Sequence, residues 1–370
     1  MAGTERLTVG AEEEYHLVDA DRGVLVSAAD AVLEHLDHEA YEHELQRSMV
    51  ETHSGVHVAL GDLRADLAAR RRALRTVADA HGASLVASGT VPLSDWREQR
   101  MSGDERYQRL RAEHGTLAEE QIVCGCHVHV GVPDRATALQ VVPHVLPWLP
   151  VLLALSSSSP FWQGLDTGYA SFRTPLWGRW PTAGFPPTLT DVAAYERLAA
   201  SLVETGTVID RKQLYWFVRP SEQFPTLEFR VADACTRLDE TVLQAALCRG
   251  LVATALERLE RGVDAPEPPP ALLDAALWRA SRSGLGDQLI DPVGAVCVPA
   301  PELVRRLVDE LAGALDRHGD LDLVHDHVQR MLVEGTSAER QRAAVAVRGR
   351  LEDAVARLVQ ETDPDGAGAA

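Results

Sequence analysis

The sequence predicts an α+β fold in which an antiparallel sheet is covered on one face by helices. Helical and strand-like patterns follow one another without the strict β–α–β alternation that a parallel sheet requires. The strands that carry polar motifs alternate cleanly between apolar and polar residues, which is typical of antiparallel sheets with one buried face. The length of 370 residues allows one large domain of this class or two smaller ones.

Composition restricts the classes of function. Hydrophobic residues make up 45% of the chain and charged residues 25%, as in ordinary globular proteins. The net charge of −19 argues against a nucleic-acid partner and against an anionic membrane surface. Five cysteines are few and odd in number, unlike a disulfide framework. The first residues contain no apolar stretch typical of a signal peptide. We therefore expect a cytoplasmic location.

Periodicity defines the elements of the first half. Residues 60–82 carry leucine and alanine at helical spacing and end on Gly82, which predicts an amphipathic helix with a glycine stop. The longest apolar run, 141–157, is broken by three prolines, so we expect helix there but no membrane span. The other expected elements are strands at 6–18, 50–60, 83–92 and 120–133, and helix around the prolines of 134–158.

The second half begins with an irregular segment. Residues 159–190 are dense in glycine, proline, tryptophan and tyrosine, and an irregular loop of this length is commonly functional. The following expected elements are a helix at 190–206, strands at 214–220 and 226–233, a helix at 238–261, and two or three helices within 271–285 and 301–360.

Two cysteines and two histidines lie close together in "CGCHVHVG", residues 124–131. Side chains on a strand point alternately to opposite faces, so Cys124 and Cys126 share one face while His127 and His129 share the other. Ligands divided between two faces cannot complete one tetrahedral zinc site. The cysteines are predicted to pack in the core as small hydrophobic residues. The histidines are either part of a polar site or exposed side chains without a function.

The first strand has the same division in "LTVGAEEEYHL", residues 7–17. Glu12, Glu14 and His16 share a polar face, while the other face is apolar apart from Glu13. Two carboxylates on one strand face repel each other unless a cation lies between them. The alternative is a solvated strand face without a bound ion.

Two further segments carry acidic or basic side chains. In "TLEFRVAD", alternation places Glu228, Arg230 and Ala232 on one face. Glu44 and Glu51 are seven residues apart, so the chain must bend between them if both contribute to one site. Glutamate oxygens with a few imidazoles suit Mg²⁺ or Mn²⁺, and a nearby arginine suits a phosphoryl group. A phosphate-handling site with several metal ions is therefore one interpretation. We find no P-loop, kinase loop or nucleophile elbow.

Four motifs in order resemble the YbdK-type carboxylate–amine ligases of the type 2 glutamate–cysteine ligase family, distant relatives of glutamine synthetase. These are "GAEEEYHLVD", "CGCHVHVGVP", "SPFWQGLDTGYASFRTPLW" and "TLEFRVADA". The resemblance implies a glutamine synthetase-like catalytic cup: a curved antiparallel sheet that holds ATP and two or three divalent ions over its polar face. We expect one catalytic domain over residues 1–365, with a helical part at about 271–360, followed by a flexible tail at 366–370.

The resemblance also implies roles for individual residues. Arg230 corresponds to the residue that neutralises the transferred phosphoryl group, and His129 and Arg173 are candidate substrate or phosphate contacts. Arg279 and Arg282 either reach phosphates or lie on a surface helix. The implied metal ligands are Glu12, Glu14, Glu44, Glu51, His127 and Glu228.

The implied activity is ATP-dependent joining of a carboxylate to an amine, with glutamate and an amine such as cysteine as substrates. The 159–190 loop is the candidate cover that excludes water from the reaction. Two alternatives remain: a degenerate ligase that binds nucleotide and metal without turnover, and a metal-dependent phosphatase. The apolar helices are compatible with a homodimer.

Overall fold

A computed structural model describes residues 6–189 and 191–366. A seven-stranded antiparallel sheet is its centre, in the order β2-β3-β1-β5-β9-β8 with β4 also paired to β1, and two separate hairpins are formed by β6-β7 and β10-β11. The strands are β1 Val9–Asp19, β2 Tyr41–His43, β3 Met49–His53, β4 Ala83–Val86, β5 Gly125–Gly131, β6 Phe161–Trp162, β7 Leu165–Asp166, β8 Val218–Pro220, β9 Thr226–Asp233, β10 Gln288–Asp291 and β11 Val296–Pro299.

Helices cover the apolar face of this sheet and extend the fold beyond it. The helices are α1 Ala29–Leu33, α2 Leu60–Ala80, α3 Glu105–His114, α4 Thr116–Glu119, α5 Arg135–Val145, α6 Leu149–Ser156, α7 Arg173–Trp177, α8 Val192–Glu204, α9 Leu238–Glu260, α10 Pro270–Ser283, α11 Ala300–His318, α12 Leu321–Glu334, α13 Ser337–Arg348 and α14 Leu351–Thr362. The predicted α+β class is therefore confirmed.

The main core lies between the sheet and α9. Val9, Val128 and Phe229 of three neighbouring strands are buried in one cluster with the apolar side chains of α9. A side chain at Gly250 in α9 would place its Cβ 3.2 Å from Leu311, so glycine here permits the close approach of α11. This packing leaves the opposite face of the sheet to the polar side chains of the same strands.

A buried ion pair fixes the middle of β1 to the helices. Glu13 interrupts the apolar face of this strand and is 3% exposed, while Arg71 of α2 is fully buried. The Arg71 guanidinium donates to both carboxylate oxygens of Glu13, at 3.1 and 2.5 Å, and to backbone carbonyls of Thr236, Cys235 and Thr362 at 2.8, 2.9 and 3.3 Å. Although burial opposes it, the charge of Arg71 holds the pKa of Glu13 below its ordinary value.

Several element boundaries differ from the sequence predictions. The strand expected at 50–60 ends at His53. The hairpin β10–β11 was missed, because these two strands are only four residues long and partly exposed.

A register shift in the β5–β9 pairing, between Cys126 and Val128, places Ala232 opposite Cys126. The prediction that Ala232 shares a face with Glu228 was therefore wrong, because a bulge interrupts strict alternation. Apart from Gly366, the predicted tail at 366–370 lies outside the described residues.

One helical stretch of the described chain is long and apolar enough to cross a membrane by length and composition. This stretch, Arg135–Ser156, comprises α5, a 3-10 turn and α6, has a mean hydropathy of 1.7, and is 89% buried within the protein over its most apolar window. It packs against α9, α10 and β9. Because its apolar surface already contacts the core, we interpret it as a core helix.

Candidate active site

Strand pairing brings the acidic and imidazole side chains of distant segments together on the polar face of the sheet. Across β1 and β3, Glu14 lies opposite Glu51 and Glu12 opposite His53. On the other side of β1, Glu12 lies opposite His127. Residues opposite each other in an antiparallel pair point to the same face, so these side chains form one cluster.

The polar face lines a cavity of about 530 Å³, which we call the cup. Glu44 lies in the connection between β2 and β3, and Glu51 lies on β3, so the hairpin supplies the bend that their sequence separation required. The predicted site residues that line the cup are Glu12, Glu14, Glu44, Glu51, His127, His129, Glu228 and Arg230.

Two groups of side chains in the cup have the spacing of a metal site. The ligand atoms of Glu12, Glu51 and His127 lie within 4.8 Å of one another, and so do those of Glu12, His129 and Glu228. Glu12 belongs to both groups. One of its carboxylate oxygens lies 3.0 Å from His127 Nδ1 and the other 3.0 Å from His129 Nε2.

The carboxylates of the cup are crowded. Burial and the neighbouring charge of Glu14 raise the pKa of Glu44 to about 7. Burial, followed by the charges of Glu12, Glu14 and Glu44, raises the pKa of Glu51 well above its ordinary value. Burial likewise raises the pKa of Glu14. These carboxylates concentrate negative charge in a small volume. Divalent cations that prefer oxygen ligands, such as Mg²⁺ or Mn²⁺, would offset that charge and would fit the site.

The imidazoles differ from each other in charge. Burial, together with the nearby positive charge of Arg230, lowers the pKa of His127 to about 4, so this ring is neutral and able to act as a ligand. For His129, burial is outweighed by the hydrogen bond and charge of Glu12, which raise its pKa. The three histidines around Glu12, including His53 at 3.5 Å, hold the pKa of Glu12 well below its ordinary value despite its burial.

Two arginines hold Glu228. Arg219 on β8 lies opposite Glu228 in the sheet and donates from Nε to its carboxylate at 2.8 Å, and Arg230 contacts the same carboxylate. Although burial opposes it, the charges of Arg219 and Arg230 hold the pKa of Glu228 well below its ordinary value. The guanidinium of Arg230 also lies 3.5 Å from His127 Nδ1, so it stands beside both carboxylate and imidazole groups.

Arg173 lies behind the cup. Its side chain is 2% exposed and does not line the cavity. It packs so closely on β5 that a Cβ added to Gly125 would lie 2.4 Å from its Nη2 atom, which explains the glycine there. The backbone N–H of Gly125 in turn donates to the Glu14 carboxylate at 2.6 Å, and the charge of Arg173 acts on that carboxylate. Arg173 is thus placed to support Glu14 instead of contacting a substrate in the cup.

Arg279 and Arg282 are not brought to the cup. They lie on the outer side of α10, whose inner face buries Leu273, Ala276, Leu277 and Ala280. Arg282 donates to the carbonyl of Gly168 and stacks over Tyr169 at 5.7 Å, while Arg279 stacks over Trp278 at 5.3 Å. Neither arginine lines the cup, and of the two alternatives the surface helix describes their position.

The described part of the 159–190 loop contributes two side chains to the cup. Its first part is anchored elsewhere: Ala170 N–H donates to the carbonyl of Ser281 at 2.9 Å, and Arg342 pairs with Asp166 at 2.6 Å. Trp177 and Trp180 are the loop residues that line the cavity. The rim is completed by residues 221–224, where Phe224 is 57% exposed and lies edge-on to His129.

The cysteines behave as predicted. Cys124 and Cys126 are 0% and 1% exposed, and neither forms a disulfide. Cys124 packs with Met49 and Ala234, whereas Cys126 packs with Ala232 and Cys235. Neither of the two metal-type groups of the described residues includes a cysteine. The zinc interpretation of residues 124–131 is thereby excluded in this geometry.

Some residues of the cup were missed by sequence analysis. Arg219 could have been found, because it lies in the predicted strand 214–220, and β8 (Val218–Pro220) pairs with the strand of Glu228. His53 could also have been found, since it alternates with Glu51 on the same strand face. Arg106, Tyr107 and Lys212 come from helix and loop segments with no such periodic signal. All five line the cavity.

The family model of glutamate–cysteine ligase family 2 matches residues 8–361 of this chain. The chain belongs to that family. A provisionally named glutamate–cysteine ligase 2-2 from Mycolicibacterium smegmatis is 45% identical over 96% of this chain and 90% of its own length. A protein of the same name from Frankia alni is 42% identical over 96% of this chain and 97% of its own length.

Some curated relatives in this family are much longer. The first, from Frankia casuarinae, is 43% identical over the whole of this chain, and the chain spans only 43% of that protein's length. The chain therefore spans less than half the length of these longer relatives.

Solved structures of ligases have the same fold. A glutamate–cysteine ligase from Francisella tularensis in complex with AMP superposes with a TM-score of 0.71 at 13% identity, covering 98% of this chain and 90% of the other. A bifunctional glutathione synthetase from Pasteurella multocida gives a TM-score of 0.68 at 17% identity, covering 98% and 53%. The predicted glutamine synthetase-like fold is confirmed.

Proposed function

We propose that this chain is an ATP-dependent carboxylate–amine ligase that joins the side-chain carboxylate of glutamate to an amine such as cysteine. The observation that carries the proposal is the convergence of five predicted glutamates, two histidines and Arg230 on one cavity from segments far apart in sequence. The family and the AMP complex of a structural relative support a nucleotide as one substrate.

The fit of Mg²⁺ to the cup rests on the chemistry of its donors. One ion would be held by Glu12, Glu51 and His127, and a second by Glu12, His129 and Glu228. Glu14 and Glu44 line the same cavity and would offer further carboxylate oxygens. When bound, Mg²⁺ supplies positive charge that offsets the charge of a triphosphate. The crowded carboxylates, whose pKa values are raised, are the groups that such an ion would return to the ionised form.

The chemistry requires two displacements. An oxygen of the glutamate side-chain carboxylate attacks the γ-phosphorus of ATP, the bond to the β-phosphate oxygen breaks, and ADP leaves. Arg230 would neutralise the phosphoryl oxygens during this transfer. The amine nitrogen then attacks the acyl carbon, phosphate leaves, the nitrogen loses a proton, and an amide remains. Trp177, Trp180 and Phe224 in the wall of the cup would help to exclude water from the acyl phosphate.

We further propose that the described residues act as one catalytic domain in the cytoplasm. One hydrophobic cluster runs from Val9 on the first strand to Met331 on α12, so the sheet and the C-terminal helices share a core. Four of the five cysteines are buried and unpaired, which suits a reducing compartment.

The test is an ADP-release assay in which glutamate and other carboxylates are combined with a panel of amines, and products are identified by mass. We expect ADP release to require Mg²⁺ or Mn²⁺, a carboxylate and an amine together, with an amide as product. Nucleotide binding without ADP release would instead support a degenerate ligase. Phosphate release without an amide would support a phosphatase.

A further inference from the structure

Lysine is used only once in this chain. Lys212 is the single lysine among 36 lysines and arginines. It lies in a short 3-10 turn, Arg211–Gln213, and its exposed side chain lines the mouth of the cup. The one side-chain ammonium group of the sequence therefore stands at the candidate active site.

The charge of Lys212 is not neutralised by a neighbouring described residue. Arg106 pairs with Asp210 at 2.7 Å, and the other two arginines of the cavity both pair with Glu228. No carboxylate oxygen of the described residues forms a salt bridge with Lys212, within a limit of 4.0 Å. The permanently cationic side chains that line the cup are Arg106, Lys212, Arg219 and Arg230. Lys212 is the one of these four without a carboxylate partner among the described residues.

The backbone of Lys212 is fixed to the candidate ion site. Arg219 donates from Nη1 to the carbonyl oxygens of Lys212 at 3.0 Å and Leu214 at 2.7 Å. The same guanidinium donates from Nε to Glu228 at 2.8 Å. The turn begins at Asp210, whose carboxylate accepts from the Gln213 N–H at 3.2 Å. A single side chain thus links the backbone of Lys212 to a candidate metal ligand, while the ammonium group remains free.

We propose that Lys212 is a substrate-binding residue whose ammonium group contacts an oxyanion of the substrate in the cup, either a carboxylate of the amino acid or a phosphate of the nucleotide. Both groups are anionic, and the remaining wall of the cup is dominated by carboxylates that would repel them. An ammonium group is a compact charge with three donors on a flexible stem, so it can follow such a group at the cavity mouth. The inference rests on the proposed function, since it assigns a contact to the substrates of that reaction.

The first experiment uses the rarity of lysine. An amine-acetylating reagent modifies only Lys212 and the terminal amino group of this chain, and peptide mass spectrometry separates the two. An Arg350→Lys variant adds a reference lysine at a position whose side chain is 56% exposed and outside the cup. We expect substrate to slow acetylation severalfold at Lys212 and leave the reference lysine unchanged.

Comparing acetylation in the presence of each substrate identifies the group that Lys212 binds. Protection by MgATP alone assigns the contact to a phosphate, whereas protection that requires glutamate assigns it to a carboxylate. Protection by MgATP in a protein that forms no amide would refute the ligase and retain the Lys212 contact. Equal acetylation of Lys212 with and without every substrate, in a protein that forms the amide, would overturn the contact and retain the ligase.

The second experiment separates binding from structural support. The Lys212→Met substitution removes the ammonium charge. It should raise KM for the substrate that protects Lys212 from acetylation by about 10-fold to 100-fold, the usual range for one charged hydrogen bond. The change in kcat should be smaller, and Lys212→Arg should restore most of the lost affinity. An unchanged KM in Lys212→Met, or an equal loss in Lys212→Arg, would contradict the proposal.

Discussion

Replacing Glu12 by glutamine is expected to lower ligase turnover by at least about 1,000-fold, since a metal ion stabilises transition-state charge by several kcal/mol. Glu12 belongs to both metal-type groups of the cup and contacts His127 and His129. The amide retains the shape of the side chain and its capacity to hydrogen-bond, but it removes the charge that both groups share. Steady-state ADP release, measured at saturating ATP and Mg²⁺, gives the comparison.

Glu42→Gln is the matched control for this variant. Glu42 lines the same cavity, but its side chain is 58% exposed and its nearest basic partner, His53, lies 3.8 Å away. We expect its turnover to stay within about threefold of the parent protein, because exposed pairs contribute little. Thermal melting of both variants without divalent ions checks that they are folded. Turnover of folded Glu12→Gln near that of the parent would remove Glu12 from the metal set.

The second large effect concerns stability. Arg71→Met should reduce the free energy of unfolding by about 3–5 kcal/mol, because it leaves the Glu13 carboxylate buried without its partner. It also removes donors from the three backbone carbonyls that Arg71 now satisfies. Denaturant titration followed by circular dichroism provides the measurement.

Arg72→Met, at the next position of the same helix, is the control. Arg72 is 51% exposed and pairs with the exposed Asp365, so we expect a loss much smaller than that of Arg71→Met. Equal destabilisation by the two variants would show that the buried pair has no special part in holding β1. A loss of stability confined to Arg71→Met would support the interpretation that the Arg71–Glu13 pair fixes β1 to helix α2, between Glu12 and Glu14.

The parts of the site that were predictable are those determined by strand alternation. Side chains on a strand alternate with a period of two, so the shared face of Glu12 and Glu14, and that of His127 and His129, can be read locally. Which strands become neighbours depends on pairing over more than 100 residues, as in the hydrogen bond between His127 and Glu12. Resemblance to a family supplied that information, since periodicity alone could not.

Three other features of the structure could not be predicted from local sequence patterns. The bulge in the β5–β9 pair moves Ala232 to the face opposite that of Glu228. No residue in "TLEFRVAD" predicts this bulge. Glu13 looked like an exception on an apolar face, and its partner Arg71 lies 58 residues away on a helix rich in arginine. Arg279 and Arg282 lie in a family-like stretch, yet helix α10 places both outside the cup. Tertiary contacts decide all three cases.

The central claim is that the carboxylates and imidazoles of the cup hold divalent ions for the nucleotide. Anomalous diffraction from crystals grown with Mn²⁺ and a non-hydrolysable ATP analogue tests it most directly. We predict one manganese peak among Glu12, Glu51 and His127 and another among Glu12, His129 and Glu228. Manganese peaks found only at other carboxylates of the surface, with the analogue bound away from the cup, would contradict the account.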